Sequence, residues 1–258
     1  MTTYVLVHGS FWGSWSWTDL ARLLRTAGHD AYAPSLTGLG ERVHLASPDI
    51  TLDTHILDVS GTLTYEELQD VVLVGLSYGG MVITGVAERM PERIAHLVFL
   101  DAPVPKDGES LGSMMGPDWT EFVLEFARTQ GDGWRFGSRR ADMGDLSPQE
   151  QSWYGRATPQ PIQTWLQPLA VRNPAAAMIP RTFIVCTDRQ WPRNDFFDAS
   201  AAVIARGAAA AREAGSGYYE LPTAHHAMLS ATQALASILL RLVPEGTAAP
   251  STAAAARG

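Results

Sequence analysis

The 258-residue chain is nearly empty of cysteine and lysine: Cys186 is its one cysteine and Lys106 its one lysine. A single thiol excludes an internal disulfide, a cysteine-rich zinc site and an iron–sulfur cluster. No H-E-x-x-H sequence and no histidine pair at i, i+4 occurs, so no metal site is expected. The chemistry left is that of serine, histidine, carboxylates and backbone amides, and no cofactor is expected. The chain also lacks an apolar run of 18 or more uncharged residues, and its start (Met1-Thr2-Thr3-Tyr4-Val5) lacks the charged and apolar regions of a signal peptide, so the expected location is the cytoplasm. Positive charge is short as well. Nineteen Lys and Arg stand against 27 Asp and Glu, a net charge of -8, which argues against nucleic acid and anionic membranes as partners. The expected partner is a small-molecule substrate, with self-association to a homodimer left open. Hydrophobic residues make up 46% of the chain, and a single domain of this length buries about 75% of its unfolded surface.

Short apolar runs punctuate the sequence. Tyr4-Val5-Leu6-Val7 ends in His8-Gly9, Val71-Val72-Leu73-Val74 ends in Gly75, Leu97-Val98-Phe99-Leu100 ends in Asp101, and Thr182 to Cys186 ends in Thr187-Asp188. Continuous runs of this kind suit strands covered on both faces. Helix-period stretches lie between them: Thr18 to Ala27, Thr51 to Thr62, Met81 to Met90 and Ala199 to Ala214. Alternating strands and helices imply an α/β fold with a doubly wound, mostly parallel sheet of about six strands, whose ligand sits beyond the carboxyl ends of the strands. The stretch from Pro103 to Pro180 breaks the rhythm with scattered prolines and the aromatics Trp119, Phe122, Phe126, Trp134, Phe136, Trp153, Tyr154 and Trp165. It is too long for an ordinary connection. The expected division is a core of residues 1–104 and 181–243, an inserted helical cap over 105–180, and a disordered tail over 244–258.

The strongest local signal is Gly75-Leu76-Ser77-Tyr78-Gly79-Gly80. A strand runs straight into this G-x-S-x-G pattern and a helix follows at once, the context in which a sharp turn holds the serine hydroxyl out at the top of a sheet. Serine needs a neighbouring base. His29 and His96 lie on the amino-terminal side of strands and His55 lies inside a helix, so these three are expected to point away from the catalytic edge. His225 and His226 follow the short strand Tyr218 to Leu221, in a loop on the right edge, and His225 is favoured as the base. For the carboxylate that orients it, Asp188 is favoured, with Asp101 as the rival and Asp195 and Asp198 further along. The oxyanion hole is expected from the N–H of Tyr78, directly after the nucleophile, and an N–H of the first loop, assigned to Ser10. Phe11 and Trp12 in that loop are expected to line the substrate pocket, and His8 to brace the loop through hydrogen bonds. Cys186 reads as a buried residue ending the strand that presents Asp188.

Five segments together, V-L-V-H-G-S-F-W-G-S-W-S-W (Val5 to Trp17), A-P-S-L-T-G-L-G-E-R (Ala33 to Arg42), V-G-L-S-Y-G-G-M-V-I-T-G (Val74 to Gly85), L-D-A-P-V-P (Leu100 to Pro105) and L-P-T-A-H-H-A-M-L-S (Leu221 to Ser230), resemble the α/β-hydrolase superfamily. The likeness is to its branch of plant methylesterases, hydroxynitrile lyases and bacterial pyrethroid-hydrolase-type esterases. It implies the α/β-hydrolase fold, Ser77 as nucleophile, His225 as base, and Ser10 and Tyr78 as oxyanion donors. Two positions depart from the branch. Where its acid segment has an Asp three residues after a Thr or Gly, this chain has Gln190, and only a one-residue deletion would bring Asp188 into register. Where its lyases carry a Thr after the first-loop His and a Lys after the catalytic His, this chain has Gly9 and His226. The expected activity is therefore hydrolysis of a carboxylic ester of a small to medium apolar or aromatic substrate, with a lyase, a tailoring enzyme or a ligand-binding protein on the same site as alternatives.

Overall fold

A computed structural model describes residues 1–137, 147–188, 195–213 and 215–242. The tail expected over 244–258, Gln190 and the side chains of Asp195 and Asp198 lie outside the described part. The strands are β1 (Thr3–Val7), β2 (Asp30–Tyr32), β3 (Val71–Leu76), β4 (Ile94–Leu100), β5 (Arg135–Phe136), β6 (Gln160–Pro161), β7 (Arg181–Cys186) and β8 (Gly217–Leu221). The helices are α1 (Thr18–Thr26), α2 (Leu52–Tyr65), α3 (Gly79–Arg89), α4 (Leu111–Met115), α5 (Pro117–Gln130), α6 (Pro148–Tyr154), α7 (Gln163–Leu166), α8 (Pro174–Ala177), α9 (Asp195–Glu213), α10 (Ala227–Ser230) and α11 (Thr232–Arg241). Six strands form one parallel sheet in the order β2-β1-β3-β4-β7-β8, and β5 and β6 pair as a separate antiparallel ribbon within the segment between β4 and β7.

The continuous apolar runs form strands covered on both faces, as parallel strands require. Alternation then divides their side chains. Val5, Val7, Val71, Leu73, Leu97 and Phe99 enter a core shared with α2, α3 and the segment between β4 and β7. Tyr4, Leu6, Val72, Val74, Val98 and Leu100 face the opposite core, closed by α1 and α11. Helix α2 turns Leu52, His55, Ile56, Val59, Ser60 and Leu63 inward, a stripe at the i, i+3, i+4, i+7 spacing of an amphipathic helix. Strand β2, directly after His29, is three residues between a helix and a loop and carries no readable period of its own. The helix expected from Ala199 begins at Asp195.

The chain leaves β1 to build β2 on one side and returns to place β3 on the other, so the strand order reverses between β1 and β3. The loops that leave those two strands, His8–Gly13 after β1 and Ser77–Tyr78 after β3, therefore flank a topological switch point, the position where open α/β sheets bind ligands.

Candidate active site

Strand β3 passes into helix α3 across two residues, and Ser77 occupies the turn with φ of 52°. A non-glycine residue in that left-handed region is strained, and its surroundings hold it there. Ser77 N–H donates to Leu100 O at 3.1 Å, and Ser77 O accepts from Gly80 N–H at 2.8 Å as the helix begins. The turn is tight enough to need its glycines: a Cβ on Gly75 would stand 2.6 Å from Gly79 O, and one on Gly79 would stand 2.8 Å from Val7 O. Against buried neighbours on both sides, Ser77 keeps partial exposure. Tyr78 is the N-cap of α3, so its N–H precedes the helix's own ladder and lies at the positive end of the helix dipole.

The loop after β1 lies directly against this turn. A Cβ on Gly9 would meet Ser77 Cβ at 3.0 Å and Leu76 O at 3.2 Å, so only glycine lets the two loops come together. Ser10 Oγ accepts a hydrogen bond from Trp165 Nε1 at 2.9 Å, and Phe11 N–H donates to the side-chain oxygen of buried Gln160 at 3.2 Å. Phe11 itself has φ of 70°. Its ring packs edge-on to Trp165 at 5.6 Å and against Phe136 at 6.3 Å, while Trp12 turns the other way, onto His226 at 4.3 Å and Tyr154 at 5.5 Å. The two residues expected to line the pocket thus face two separate ring groups, Phe136 and Trp165 from the segment between β4 and β7, and Tyr154 of that segment together with His226 of the loop after β8. His8 braces the loop: its Nε2 accepts from Leu36 N–H at 3.1 Å, which leaves Nδ1–H to donate to Gly9 O at 2.8 Å. Burial drives its pKa down to about 4, so the ring is neutral.

His225 sits in the loop between β8 and α10 and is 8% exposed. The carboxylate it meets is Asp101. His225 Nδ1 lies 2.7 Å from Asp101 Oδ2, and Asp101 is fully buried at the carboxyl end of β4. The carboxylate expected at this imidazole, Asp188, is not the one the structure brings to it: Asp188 is exposed, with its backbone N–H tied to Thr223 O at 3.1 Å. A backbone dihedral and two hydrogen bonds turn Asp101 inward. Its φ of 45° bends the chain off the end of β4, its N–H donates to Ile184 O at 2.7 Å, and its Oδ1 accepts from Cys186 N–H at 3.1 Å. Cys186 does end β7 in the core, as expected, yet its amide secures Asp101 rather than presenting Asp188. Because a carboxylate can only accept, the bond assigns the His225 proton to Nδ1 and leaves Nε2 as the basic nitrogen.

His226, the alternative base, is half-buried between Trp12 and Tyr154, with Nδ1 3.4 Å from the Tyr154 hydroxyl. Burial and the neighbouring His225 hold its pKa well below the ordinary histidine value. A second correction concerns His55. It was expected to point away from the catalytic edge, but its Nδ1 lies 2.9 Å from the hydroxyl of Tyr78, the residue after Ser77. The signal was present in the sequence, since His55 falls on the apolar stripe of α2. His29 and His96 stay away from the site: His29 accepts from Thr2 N–H and His96 meets Thr182 Oγ1. Among the described residues no cluster of His, Cys, Asp and Glu could hold a metal ion, and no helix is long and apolar enough to cross a membrane.

Comparison with known proteins finds esterases and hydrolases of the same fold. A carbendazim hydrolyzing esterase of Nocardioides sp. (strain SG-4G) is 40% identical over 194 residues, covering 72% of this chain and 80% of that protein. Methylesterase 1 of Arabidopsis thaliana is 30% identical over 203 residues, covering 72% of this chain and 77% of its own. Among solved structures, an extracellular alpha/beta-hydrolase from a Paenibacillus species superimposes with a TM-score of 0.74 at 23% identity, over 93% of this chain and 98% of that one. A pyrethroid hydrolase from Sphingobium faniae JZ-2 does so with a TM-score of 0.69 at 20% identity, over 93% and 96%. With the alpha/beta hydrolase family matching residues 4–238, a parallel sheet that reverses its order at β1 and β3, and a strained serine between strand and helix, the chain belongs to the alpha/beta hydrolase family.

Proposed function

We propose that this hydrolase of the carboxylic-ester class works through a Ser77 nucleophile, a His225 base and an Asp101 acid, with the amides of Ser10 and Tyr78 as the oxyanion hole. The observation that carries the reading is the 2.7 Å bond between His225 Nδ1 and the buried Asp101 carboxylate, on the sheet edge that also presents the strained Ser77 turn. That bond places the His225 proton on Nδ1, so Nε2 is the nitrogen that takes the Ser77 proton as Oγ attacks the ester carbonyl. The carbonyl oxygen becomes negative in the tetrahedral intermediate, and the two amides donate to it; one stands at a helix N-terminus, where the dipole favours that charge. His225 then passes its proton to the departing alkoxide. Water deprotonated by the same nitrogen hydrolyses the acyl-Ser77 ester and returns the serine. Apart from the substrate and the hydrolytic water, every group in this proposed cycle is a side chain or amide of the chain.

The described residues between 105 and 180 act as a cap over this edge. Phe11, Trp119, Phe136 and Trp165 form a continuous ring cluster, with centroid separations from 5.4 to 6.3 Å, beside Ser10. Phe11 is the member of this cluster that stays partly exposed, and an apolar ring beside the Ser77 turn favours an apolar or aromatic ester of small to medium size. One relative is named for hydrolysing carbendazim, which makes that compound a natural probe beside a panel of nitrophenyl esters. Incubation with a fluorophosphonate and peptide mass spectrometry should place the label on Ser77, and Ser77→Ala should abolish both labelling and ester turnover. Unchanged turnover in Ser77→Ala would overturn the mechanism.

A further inference from the structure

Resting on that reading, we infer that His55 is a positioning residue of the oxyanion hole, acting through the hydroxyl of Tyr78. His55 is fully buried and does not belong to the Ser77–His225–Asp101 chain. Its two ring nitrogens are both engaged: Nε2 lies 2.9 Å from Thr37 O and Nδ1 2.9 Å from Tyr78 Oη. A backbone carbonyl can only accept, so the proton is on Nε2, and Nδ1 must accept from the Tyr78 O–H. The two rings meet edge-on at 5.7 Å and 74°. Tyr78 is thereby held at both ends, by its backbone in the turn and by its hydroxyl against α2.

Thr37, at the far side of His55, is itself clamped. Asp58 accepts from Thr37 N–H at 2.6 Å and from Thr37 Oγ1 at 2.7 Å, and Arg42 bridges Asp58 and Ser35 O at 3.0 Å each. One residue earlier, Leu36 N–H holds His8 Nε2, and His8 holds Gly9 O beside Ser10. A single segment, 35–37, thus reaches both proposed oxyanion donors through two neutral, buried imidazoles, one on each side of the switch point. The amide of Tyr78 must point to where the oxyanion forms and not merely near it, because small misplacements of a preorganised donor cost rate rather than binding. A long side chain pinned at its tip restrains the turn in that sense, which a free phenol at the same place would not do.

Tyr78→Phe removes one oxygen and keeps the ring, so it tests the link even where His55→Leu disturbs folding. Each variant should lower kcat on a nitrophenyl ester about tenfold to a hundredfold with KM within about twofold. Both variants cut the His55–Tyr78 bond, so the loss in the double variant should fall well short of the product of the single losses. His55→Gln, whose amide can accept from the phenol and donate to Thr37 O, should recover most of the loss. Wild-type kcat in Tyr78→Phe, or losses that multiply in the double variant, would overturn the inference while leaving the Ser77 mechanism standing. A wild-type enzyme without Ser77-dependent ester turnover would instead overturn the mechanism and this inference with it.

Discussion

His225 and Asp101 stand 124 residues apart in the chain and meet at 2.7 Å in the core, imidazole Nδ1 to carboxylate Oδ2. They meet because β4 lies beside β7, and β7 beside β8, in the sheet. The carboxylate is held from β7 by the Cys186 amide, and Cys186 Sγ rests 4.0 Å from His225 O, so one residue touches both partners.

Asp101→Asn should therefore cripple turnover while Asp188→Asn should not. An amide at 101 can present its NH2 to His225, which favours the wrong tautomer, and the loss in kcat should be on the order of 10³–10⁴-fold. At the exposed Asp188 the change should stay within about twofold. Steady-state kinetics on one ester decides it, and equal losses at the two positions would contradict the Asp101 assignment.

Trp165 joins α7 to the loop after β1 through its bond to Ser10 Oγ. Trp165→Phe keeps an aromatic ring beside Phe11 and Phe136 but deletes that donor. A neutral buried hydrogen bond contributes about 1 kcal/mol, so the denaturant midpoint should fall by a corresponding small amount. Because Ser10 also carries a proposed oxyanion amide, kcat should fall several-fold. A loss confined to stability would separate the hydroxyl of Ser10 from the placement of its amide.

Acid should destabilise the fold through its buried imidazoles before carboxylates matter. Burial lowers the pKa of His8 and of His55 to about 4, whereas in the unfolded chain both titrate near 6.5. Between those values the unfolded state binds more protons than the folded one, so stability is full above about pH 6.5 and declines as pH drops towards 4. Each imidazole accounts for a few kcal/mol across that window. Urea unfolding at about pH 7.5, 6 and 5 should show midpoints falling in that order, with a shallower fall in His55→Gln. A midpoint constant across this range would refute it.

Much of the site is local enough to be legible in sequence. The strand-to-helix turn at Ser77 needs a β-branched run, small residues at 75, 79 and 80, and a helix at once, and all three are written contiguously. The loop position of His225 follows from a short strand ahead of it. Asp101 could not be chosen on those grounds, because Asp101 and Asp188 both follow strands whose carboxyl ends reach the same edge. The choice fell to backbone geometry: a left-handed φ and two amide contacts turn Asp101 inward, while Asp188 stays exposed. His55 shows the same division. Its place on the buried stripe of α2 is a matter of spacing, but its partner is not. By itself, then, the sequence determined the family, the parallel sheet, and which serine and histidine stand as the proposed nucleophile and base, since each rests on residues adjacent in the chain or on periodicity within one element. The carboxylate that His225 meets and the partner of the Tyr78 hydroxyl were decided only by tertiary structure, because each depends on which neighbour a buried polar group finds, and burial without a partner is what such groups cannot sustain.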